Sequence, residues 1–253
     1  MAKAICWIYK KVNTKKCLLF YFNCIIYTYL IYNYDFMESP ILATDVVVFN
    51  IRKWKLKVLL IKMNKEPFVW LWALPGWFIW EKELCLDAAH RILYEASSVS
   101  DLYIEQLKVF DAIDRDPKAR IVSIAHMAII KKDDLSIKTN DSYTDIAWFS
   151  VDELPVMAYD HLEIIKYWLE RLEWKVTYST LSLSLMPEKF TLSELQSVFE
   201  IVLKKDLDKR NFRKKLLKSW VIEDTGEKKT IWVPRPASLY RAIKQELDFV
   251  DLL

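Results

Sequence analysis

Glycine is almost missing from this chain, which has only 2 glycines among 253 residues. Average usage of about 7% would give roughly 18. Tryptophan, by contrast, occurs 11 times. Glycine normally supplies the positive φ angles that tight turns and helix ends require, so this chain has to place other residues at such positions.

Cysteines are few, and three of them lie at one end of the chain. Of the 4 cysteines, Cys6, Cys17 and Cys24 fall within residues 1–36, which leaves Cys85 alone in the rest. A single cysteine excludes a disulfide framework or a cysteine-based zinc site there. Because disulfides are typical of oxidising compartments, their exclusion favours a cytoplasmic protein.

The chain also lacks a hydrophobic run long enough to cross a membrane. Residues 17–32 are apolar and follow five lysines, but a spanning helix needs about 20 apolar residues. No small-residue cleavage site of a signal peptide is present. We therefore predict no membrane partner, and we interpret residues 1–36 as translated upstream DNA or a disordered segment, with Met37 as the true start.

Charge is distributed unevenly over the remaining chain. Residues 37–174 carry about five more acidic than basic residues, whereas residues 175–253 carry about four more basic than acidic ones. Residues 204–218 alone contain eight basic and two acidic residues. The length and this asymmetry predict two domains, an acidic one at 37–174 and a basic one at 175–253.

A motif of fixed spacing marks the first domain. It consists of Leu74-Pro75-Gly76-Trp77-Phe78 followed by Glu83, Arg91, Leu93, Glu95 and Val99. This spacing resembles the Nudix box, which runs Gly, five residues, Glu, seven residues, then Arg-Glu-apolar-x-Glu-Glu-x-Gly-apolar. The box has Gly, Glu, Glu and Gly where this chain has Trp77, Ile92, Ala96 and Ser98.

These departures remove most of the chemistry of the box. Residues 87–96 predict a helix, which puts positions 92, 95 and 96 on one face. In the family that face carries carboxylates for Mg²⁺, which requires hard oxygen ligands. Only Glu95 remains, so we predict a pocket that binds its ligand without hydrolysing it and that requires no cofactor and no metal.

Other interpretations of the motif stay open. In one, Glu83, Arg91 and Glu95 are merely solvated charges on an amphipathic helix, and the domain is a structural module without a ligand. In another, the protein is an active Mg²⁺-dependent Nudix hydrolase of ADP-ribose or another nucleoside diphosphate derivative. Glu83 and Glu95, with Glu81 or Asp87, would then rebuild the metal site.

Strand and helix patterns surround the motif. Residues 44–49 and 56–62 are apolar, β-branched runs joined by a short polar turn, which predicts a hairpin. Residues 120–130 and 146–149 predict further strands. Residues 160–172 predict a helix capped by Asp160, and His161 is interpreted as a neighbour of that cap and not as a ligand. These elements favour an α+β fold, the Nudix-type α/β/α sandwich.

The basic second domain combines helices with a hairpin. Residues 190–203 predict a helix with a capping box of Thr191 and Glu194. Residues 208–218 predict a second helix that buries Phe212 and Leu216, with Leu217 as a further candidate, and exposes a basic face. Residues 221–241 predict a hairpin with a basic tip. Together these are the parts of a winged helix-turn-helix, whose second helix enters the major groove of DNA.

The predicted contacts with DNA follow from that geometry. Lysine and arginine suit phosphates, whereas Asn211 and Arg213 suit base edges. A solvated charge run is the plain alternative, but here the charge is confined to one helix and one hairpin tip. The candidate DNA-binding residues are Thr191, Ser193, Gln196, Lys209, Arg210, Asn211, Arg213, Lys214, Lys229 and Arg235.

Beyond the box, the chain resembles the Nudix-related transcriptional regulators of the NrtR and AraR type. Five segments carry this resemblance: residues 74–76, 114–117, 190–196, 208–214 and 234–241. It implies a bacterial regulator that acts as a homodimer on operator DNA under the control of a small-molecule effector, either an ADP-ribose-like nucleotide or a sugar. The candidate effector-binding residues are Lys62, Arg91, Glu95, Asp114, Arg115 and Asp116.

The tryptophans offer an explanation for the missing glycines. Trp54 lies in the predicted hairpin turn, Trp77 at the Nudix glycine and Trp220 at a predicted helix end, all positions typical of glycine. Trp174 and Trp232 are further candidates. We hypothesise that the gene specifies glycine with UGA, as some bacteria do, and that the codon has been translated as tryptophan. Trp148 and Trp168 lie in apolar periodic contexts and are interpreted as true tryptophans.

Overall fold

A computed structural model describes residues 39–97, 103–130, 143–229 and 236–243. The predictions for residues 1–36, for Ser98 and Val99 of the box, and for Trp232 and Arg235 lie outside the described residues. The strands are β1 (Ile41–Arg52), β2 (Lys55–Met63), β3 (Trp72–Ala73), β4 (Gly76–Phe78), β5 (Tyr103–Phe110), β6 (Ile121–Ile129), β7 (Tyr143–Ser150), β8 (Ile222–Lys229) and β9 (Ala237–Ala242). The helices are α1 (Cys85–Ser97), α2 (His161–Tyr178), α3 (Leu181–Ser184), α4 (Leu192–Leu203) and α5 (Lys209–Lys218).

Seven of the described strands form one mixed sheet around β1. β1 pairs antiparallel with β2 and β4 and parallel with β6. β5 lies beyond β6, and both β3 and β7 pair with β2. The predicted hairpin of β1 and β2 is confirmed, with Arg52 opposite Lys55 next to the turn. β1 is apolar without alternation because both its faces are covered, and Val46, Val47, Val48 and Phe49 are fully buried.

One helix covers each face of this sheet. Leu93 of α1 lies in a buried cluster with Val46 and Val48. On the opposite face Trp168 of α2 is fully buried, and its ring centroid is 6.0 Å from that of Phe49. Successive residues of β1 therefore enter two different cores, as the alternation of a strand requires. The predicted α+β fold with an α/β/α sandwich is confirmed.

The C-terminal part contains the predicted helix pair and hairpin. At the start of α4, Thr191 accepts from the N–H of Glu194 and the Glu194 carboxylate accepts from the N–H of Thr191, so the capping box is confirmed. α5 begins after Asp208 and buries Phe212 and Leu216, whereas Leu217 is exposed. β8 and β9 pair antiparallel. Among the described helices, none is long and apolar enough to cross a membrane.

The sheet and the C-terminal helices share one hydrophobic core. α2 leaves the sheet and packs against α3 and α4. A continuous cluster of buried side chains runs from Phe49 through Trp168 to Phe199 and Phe212, and the rings of the last two are 5.2 Å apart. The pair of α4 and the basic α5 is therefore packed directly onto the sandwich.

Candidate ligand pocket and nucleic-acid interface

A cavity of about 340 Å³ lies between β1, β4, α1 and the residues that begin α2. Small-molecule sites typically measure about 300–1,000 Å³ and combine apolar walls with a few convergent polar groups. Here the apolar wall includes Leu74, Ile92 and Ala96, and the polar groups gather around Arg115. The cavity has both the size and the chemistry of a small-molecule site.

Arg115 is the centre of a buried charge cluster in the cavity wall. Its Nη2 donates to Asp45 Oδ2 at 3.0 Å and to Asp160 Oδ1 at 2.7 Å, and its Nε donates to Asp160 Oδ2 at 2.9 Å. Burial lowers the pKa of a guanidinium, but the two carboxylates outweigh this and raise the pKa of Arg115. Since Asp45 lies on β1 and Asp160 precedes α2, one side chain joins the sheet to the helix start.

Asp45 is a buried carboxylate that the surrounding donors keep ionised. Burial raises the pKa of a carboxyl group, but His161, Arg115 and Ser123 together hold the pKa of Asp45 well below its usual range. Ser123 Oγ donates to Asp45 Oδ2 at 2.6 Å. Gly76 makes room for the carboxylate, because a Cβ at that position would lie 2.1 Å from Asp45 Oδ1. Glycine is thus required at position 76, because any side chain there would collide with the Asp45 carboxylate.

His161 completes the buried cluster at the first turn of α2. Its Nδ1 accepts from the N–H of Leu74 at 2.9 Å, so Nδ1 carries no proton and Nε2 is the protonated nitrogen. Nε2 lies 3.5 Å from Asp45 Oδ1. The imidazole therefore binds the loop before β4 on one side and faces Asp45 on the other. His161 is the first residue after the N-cap, as interpreted from the sequence, and its ring in addition belongs to the buried cluster.

Asp160 does not make the capping hydrogen bond that the sequence predicts. It precedes α2, but its carboxylate makes no capping hydrogen bond to the helix. The carboxylate accepts both hydrogen bonds from Arg115 instead, because a fork of guanidinium donors binds a carboxylate more strongly than a single backbone N–H does.

The charged remnants of the box are paired with each other. Arg91 Nε donates to Glu83 Oε1 at 2.7 Å and its Nη2 donates to Glu83 Oε2 at 2.8 Å. The hydrogen bonds from Arg91 lower the pKa of Glu83. Glu95 is more distant, 3.7 Å from Arg91 Nη1, and its side chain is half exposed. The Arg91 fork thus ties the loop after β4 to α1.

The exposed face of α5 is strongly basic. Five candidate DNA-binding residues lie on this helix and are exposed: Lys209, Arg210, Asn211, Arg213 and Lys214. Lys215 and Lys218, which the prediction omitted, are exposed as well. Asp208 caps the helix by accepting from the N–H of Asn211 at 2.8 Å, while Phe212 and Leu216 fix the opposite face in the core. The fold therefore presents the cations of α5 to solvent as one surface.

Known proteins identify both parts of this arrangement. The Nudix domain model matches residues 40–172, and the model of the NrtR DNA-binding winged helix domain matches residues 182–242. A curated relative from Acinetobacter baylyi, the "ADPR responsive transcriptional repressor NtrR", is 33% identical over 215 residues, which cover 83% of this chain and 85% of the relative. The chain belongs to the NrtR family. The resemblance inferred from the sequence is confirmed.

Two solved structures of an NrtR protein are similar to this chain. The crystal structure of Shewanella oneidensis NrtR complexed with a 27mer DNA has 35% identity and a TM-score of 0.72, over 79% of this chain and 93% of that one. The Nudix domain of the same protein complexed with ADP ribose has 33% identity and a TM-score of 0.50, over 55% of this chain and 92% of that one.

The Nudix pocket brings together four of the six predicted effector-binding residues. Arg91, Glu95, Arg115 and Asp116 line it. Asp114 is exposed and outside the lining. Lys62 is also outside, and its ammonium lies 5.7 Å from the ring centroids of both Trp70 and Trp72.

Several polar pocket residues of this NrtR family member were absent from the sequence prediction, among them Asp45, Lys65, Tyr159 and His161. Asp45 had a signal, because a lone carboxylate inside a fully buried strand is rare unless it is paired. His161 had none, since the N–H group that it binds belongs to a loop 87 residues earlier in the chain.

Two positions of the box that carry magnesium-binding carboxylates in the family pattern are apolar in this pocket. Ile92 and Ala96 are buried in its wall, and both oxygens of Glu83 accept from Arg91. Within the ranges that the structure describes, no group of three or more His, Cys, Asp or Glu side chains converges on a possible metal position. Mg²⁺ prefers near-octahedral oxygen coordination. Of the carboxylates that line the pocket, Asp45 already accepts from Arg115 and Ser123, which leaves Glu95 and Asp116.

The winged helix uses two predicted DNA-binding side chains for internal bonds. Thr191 is buried and caps α4. Gln196 is buried, and its Nε2 donates to Glu200 Oε1 and to the carbonyl of Leu207. Thr191 thus fixes the start of α4, and Gln196 holds the turn between α4 and α5. Their contact with DNA stays a prediction, and in this structure both side chains are engaged in bonds within the domain.

Two other predicted contacts lie nearer the surface. Ser193 is exposed and accepts from Arg213 Nη2 at 3.3 Å. Lys229 on β8 is half-buried and forms an ion pair with Glu194 at 2.5 Å. Lys229 therefore ties the far end of β8 to the start of α4.

Proposed function

We propose that the protein is a transcriptional repressor that binds operator DNA through α5 and the β8–β9 hairpin and responds to ADP-ribose in the Nudix pocket. The observation that carries this proposal is the exposed cationic face of α5, built on the core that also supports the pocket. The curated relative's response to ADPR and the DNA and ADP ribose complexes of the Shewanella protein support it.

An anionic effector fits the charges of the pocket. Lys65, Arg91 and Arg115 all line it, and guanidinium and ammonium groups are the usual partners of phosphate oxygens. A diphosphate would bring two phosphates into reach of these cations, whereas a neutral sugar would leave them without a counter-charge from the ligand. The lining therefore favours the nucleotide over the sugar as effector.

The route from pocket to DNA runs through α2 in this proposal. Arg115 holds Asp160 at the start of α2, and the same helix buries Trp168 in the core that continues to Phe199 of α4. An effector that draws Arg115 towards its phosphates changes the hold on Asp160, and with it the position of α2. Such couplings between sites are typically worth about 1–3 kcal/mol.

The protein is not a hydrolase in this proposal, because Ile92 and Ala96 replace two of the three carboxylates with which the Nudix box binds Mg²⁺. The test is release of AMP from ADP-ribose with and without Mg²⁺. We expect none above the uncatalysed rate. Mg²⁺-dependent AMP release would establish the hydrolase instead.

A homodimer is part of the proposal, since one winged helix reads only one half-site and symmetric operators match two-fold proteins. Light scattering should give twice the mass of the chain. Bound DNA sequences should show inverted half-sites spaced by about 10 base pairs or a multiple of that.

DNA binding is tested by selecting bound duplexes from a random pool and titrating the selected duplex over a range of salt concentrations. Lys214→Ala on α5 should weaken binding and reduce the slope of log K against log salt by about 1, the value of one phosphate contact. Lys166→Ala, an exposed lysine on α2, is the matched control and should leave both unchanged. A selection that yields no preferred sequence, or equal effects of the two variants, would contradict the proposed interface.

A further inference from the structure

Three tryptophans occupy a backbone conformation that suits glycine. Among the described residues, six that are not glycine have a positive φ, and three of these are Trp54 at 59°, Trp70 at 71° and Trp220 at 58°. In this region the Cβ of an L-residue approaches the following carbonyl oxygen, so bulky residues are outliers there. All three side chains are exposed. Apolar burial therefore does not compensate for the backbone strain at these positions.

Trp54 lies in the tightest turn of the sheet. Arg52 pairs with Lys55, so only Lys53 and Trp54 connect β1 to β2. Both have positive φ, 50° and 59°, which is the pattern of a type I′ turn. The second position of that turn strongly prefers glycine, as in Asn-Gly and Asp-Gly.

Trp220 lies just beyond the end of the DNA-facing helix. Ser219 ends α5 with its N–H bonded to the carbonyl of Leu216, and Trp220 follows in the left-handed conformation, 82% exposed. This is the position after a helix where glycine is most enriched. The residue turns the chain from α5 into β8.

Trp70 was not apparent from the sequence and is identified by the backbone. Its N–H donates to the carbonyl of Met63 at 3.0 Å, which closes the loop between β2 and β3 with a φ of 71°. Its side chain is 63% exposed.

Other tryptophans show no such requirement. Trp168 is fully buried against Phe49, and Trp72 packs edge-to-face on Phe149 at 4.6 Å. Trp174 lies inside α2 and Trp77 on β4, and neither has a positive φ. The backbone at Trp174 and Trp77 therefore does not require glycine, contrary to the expectation from the sequence. The backbone at Trp54 and Trp220 has the conformation that favours glycine, and so does the backbone at Trp70.

We propose that positions 54, 70 and 220 carry glycine in the protein as its own cell makes it, because the gene specifies them with UGA. Some bacteria read this codon as glycine and others as tryptophan. Translation with the wrong genetic code therefore replaces glycine by tryptophan only at the positions encoded by UGA. This accounts at once for the scarcity of glycine, the excess of tryptophan and the placement of three exposed indoles at left-handed positions. Tryptophans encoded by UGG, as we expect for Trp168, are unaffected.

The decisive experiment reads the codons at positions 54, 70 and 220 and the masses of the corresponding peptides from protein isolated from its native cell. We expect UGA at all three, UGG at position 168, and peptide masses lower by the difference between tryptophan and glycine. UGG codons, or peptides with the mass of tryptophan, at these three positions overturn the proposal.

An independent test uses recombinant protein in which each position is fixed by an unambiguous codon. Glycine and alanine both remove the indole, but only glycine relieves a positive φ. The glycine variants of Trp54, Trp70 and Trp220 should melt a few degrees above the matching alanine variants. At Trp174, inside a helix, the order should reverse. Alanine variants that melt at or above their glycine counterparts at all three positive-φ sites count against the proposal.

Discussion

At Gly76 the absence of a side chain decides whether the pocket can keep its charge cluster. A Cβ there would lie 2.1 Å from Asp45 Oδ1 and 3.1 Å from the carbonyl of Thr44. Gly76→Ala must therefore displace a carboxylate that Arg115 and Ser123 hold. We expect a loss of stability of about 1–3 kcal/mol, as for other overpacked sites, together with loss of ADP-ribose binding. Urea denaturation and calorimetric titration measure the two effects.

Gly226 provides the matched control for that variant. A Cβ at Gly226 meets nothing within 4 Å, but the residue has a φ of +75°. Gly226→Ala should cost about 1 kcal/mol through backbone strain alone and leave ADP-ribose binding intact. If both alanine variants bind ADP-ribose equally well, the close approach at Gly76 does not shape the pocket.

Asp45 should make the stability of the protein depend on pH in the acid range. Its pKa is lower in the folded state than the ordinary value of 3.8, so its contribution is fully present above about pH 4 and is lost as the pH falls towards the folded-state pKa. Asp45→Asn should cost about 3 kcal/mol at pH 7, the lower end for a broken buried pair, because Arg115 retains Asp160. The difference from the unchanged protein should shrink below pH 4 in denaturation experiments, and a difference that stays constant to pH 3 would contradict this assignment.

Single residues of the site were predictable from the sequence only where they belong to a motif or a local pattern. Arg91 and Glu95 belong to a spacing that is visible along the chain. The cluster of Asp45, Arg115 and Asp160 joins residues 70 and 45 positions apart, and no local pattern reports such a distance. Thr191 and Gln196 show that a motif does not reveal which face a side chain takes, since both side chains are buried.

Among the elements, α2 is the one that connects the two functions. It begins at the charge cluster of the pocket and ends beside the helices of the winged helix. Asp160→Asn removes the charge that Arg115 holds at its start but leaves the basic face of α5 untouched. We expect operator affinity without ADP-ribose to be retained and the ratio of operator Kd with and without ADP-ribose to fall towards 1. Couplings of this kind span about 5–150-fold.

Asp152→Asn is the control for the coupling experiment. Asp152 forms an exposed ion pair with Lys204 at 2.7 Å, and pairs of this kind contribute about 0–1 kcal/mol. This variant should keep the full ratio. If Asp160→Asn keeps it too, the effector does not act through the start of α2.

Elements with a strong local pattern were predictable, and elements defined by their partners were not. The β1–β2 hairpin has two apolar, β-branched runs joined by a polar turn, and α1 and α4 have apolar residues at helical spacing. β3 and β4 are two and three residues long, too short for any period, and exist because β2 and β1 offer them hydrogen bonds. β5 lies at the edge of the sheet with a mostly exposed or half-buried surface, so its apolar alternation is weak.

For the molecule as a whole, the undivided core means that pocket and winged helix should unfold together. The buried cluster includes Phe49 of the sheet, Trp168 of α2 and Phe212 of α5, so exposing one part removes the partners of the other. Calorimetry should show one cooperative transition for the described fold. ADP-ribose at 100 times its Kd should stabilise the protein by about 2.7 kcal/mol, which corresponds to roughly 5–10 °C for a domain of this size.

The same coupling should be visible far from the ligand. Hydrogen exchange of the α5 amides should slow when ADP-ribose fills the pocket, because α5 amides that exchange through global unfolding gain the full stabilisation of the folded state. Mg²⁺ alone should change neither the melting temperature nor the exchange, since Ile92 and Ala96 replace two carboxylates of the Nudix box. Two separate transitions, with ADP-ribose shifting one and leaving exchange in α5 unchanged, would show that the core is divided. The effector would then have to reach the DNA-binding surface by rearranging the dimer and not by stabilising one continuous fold.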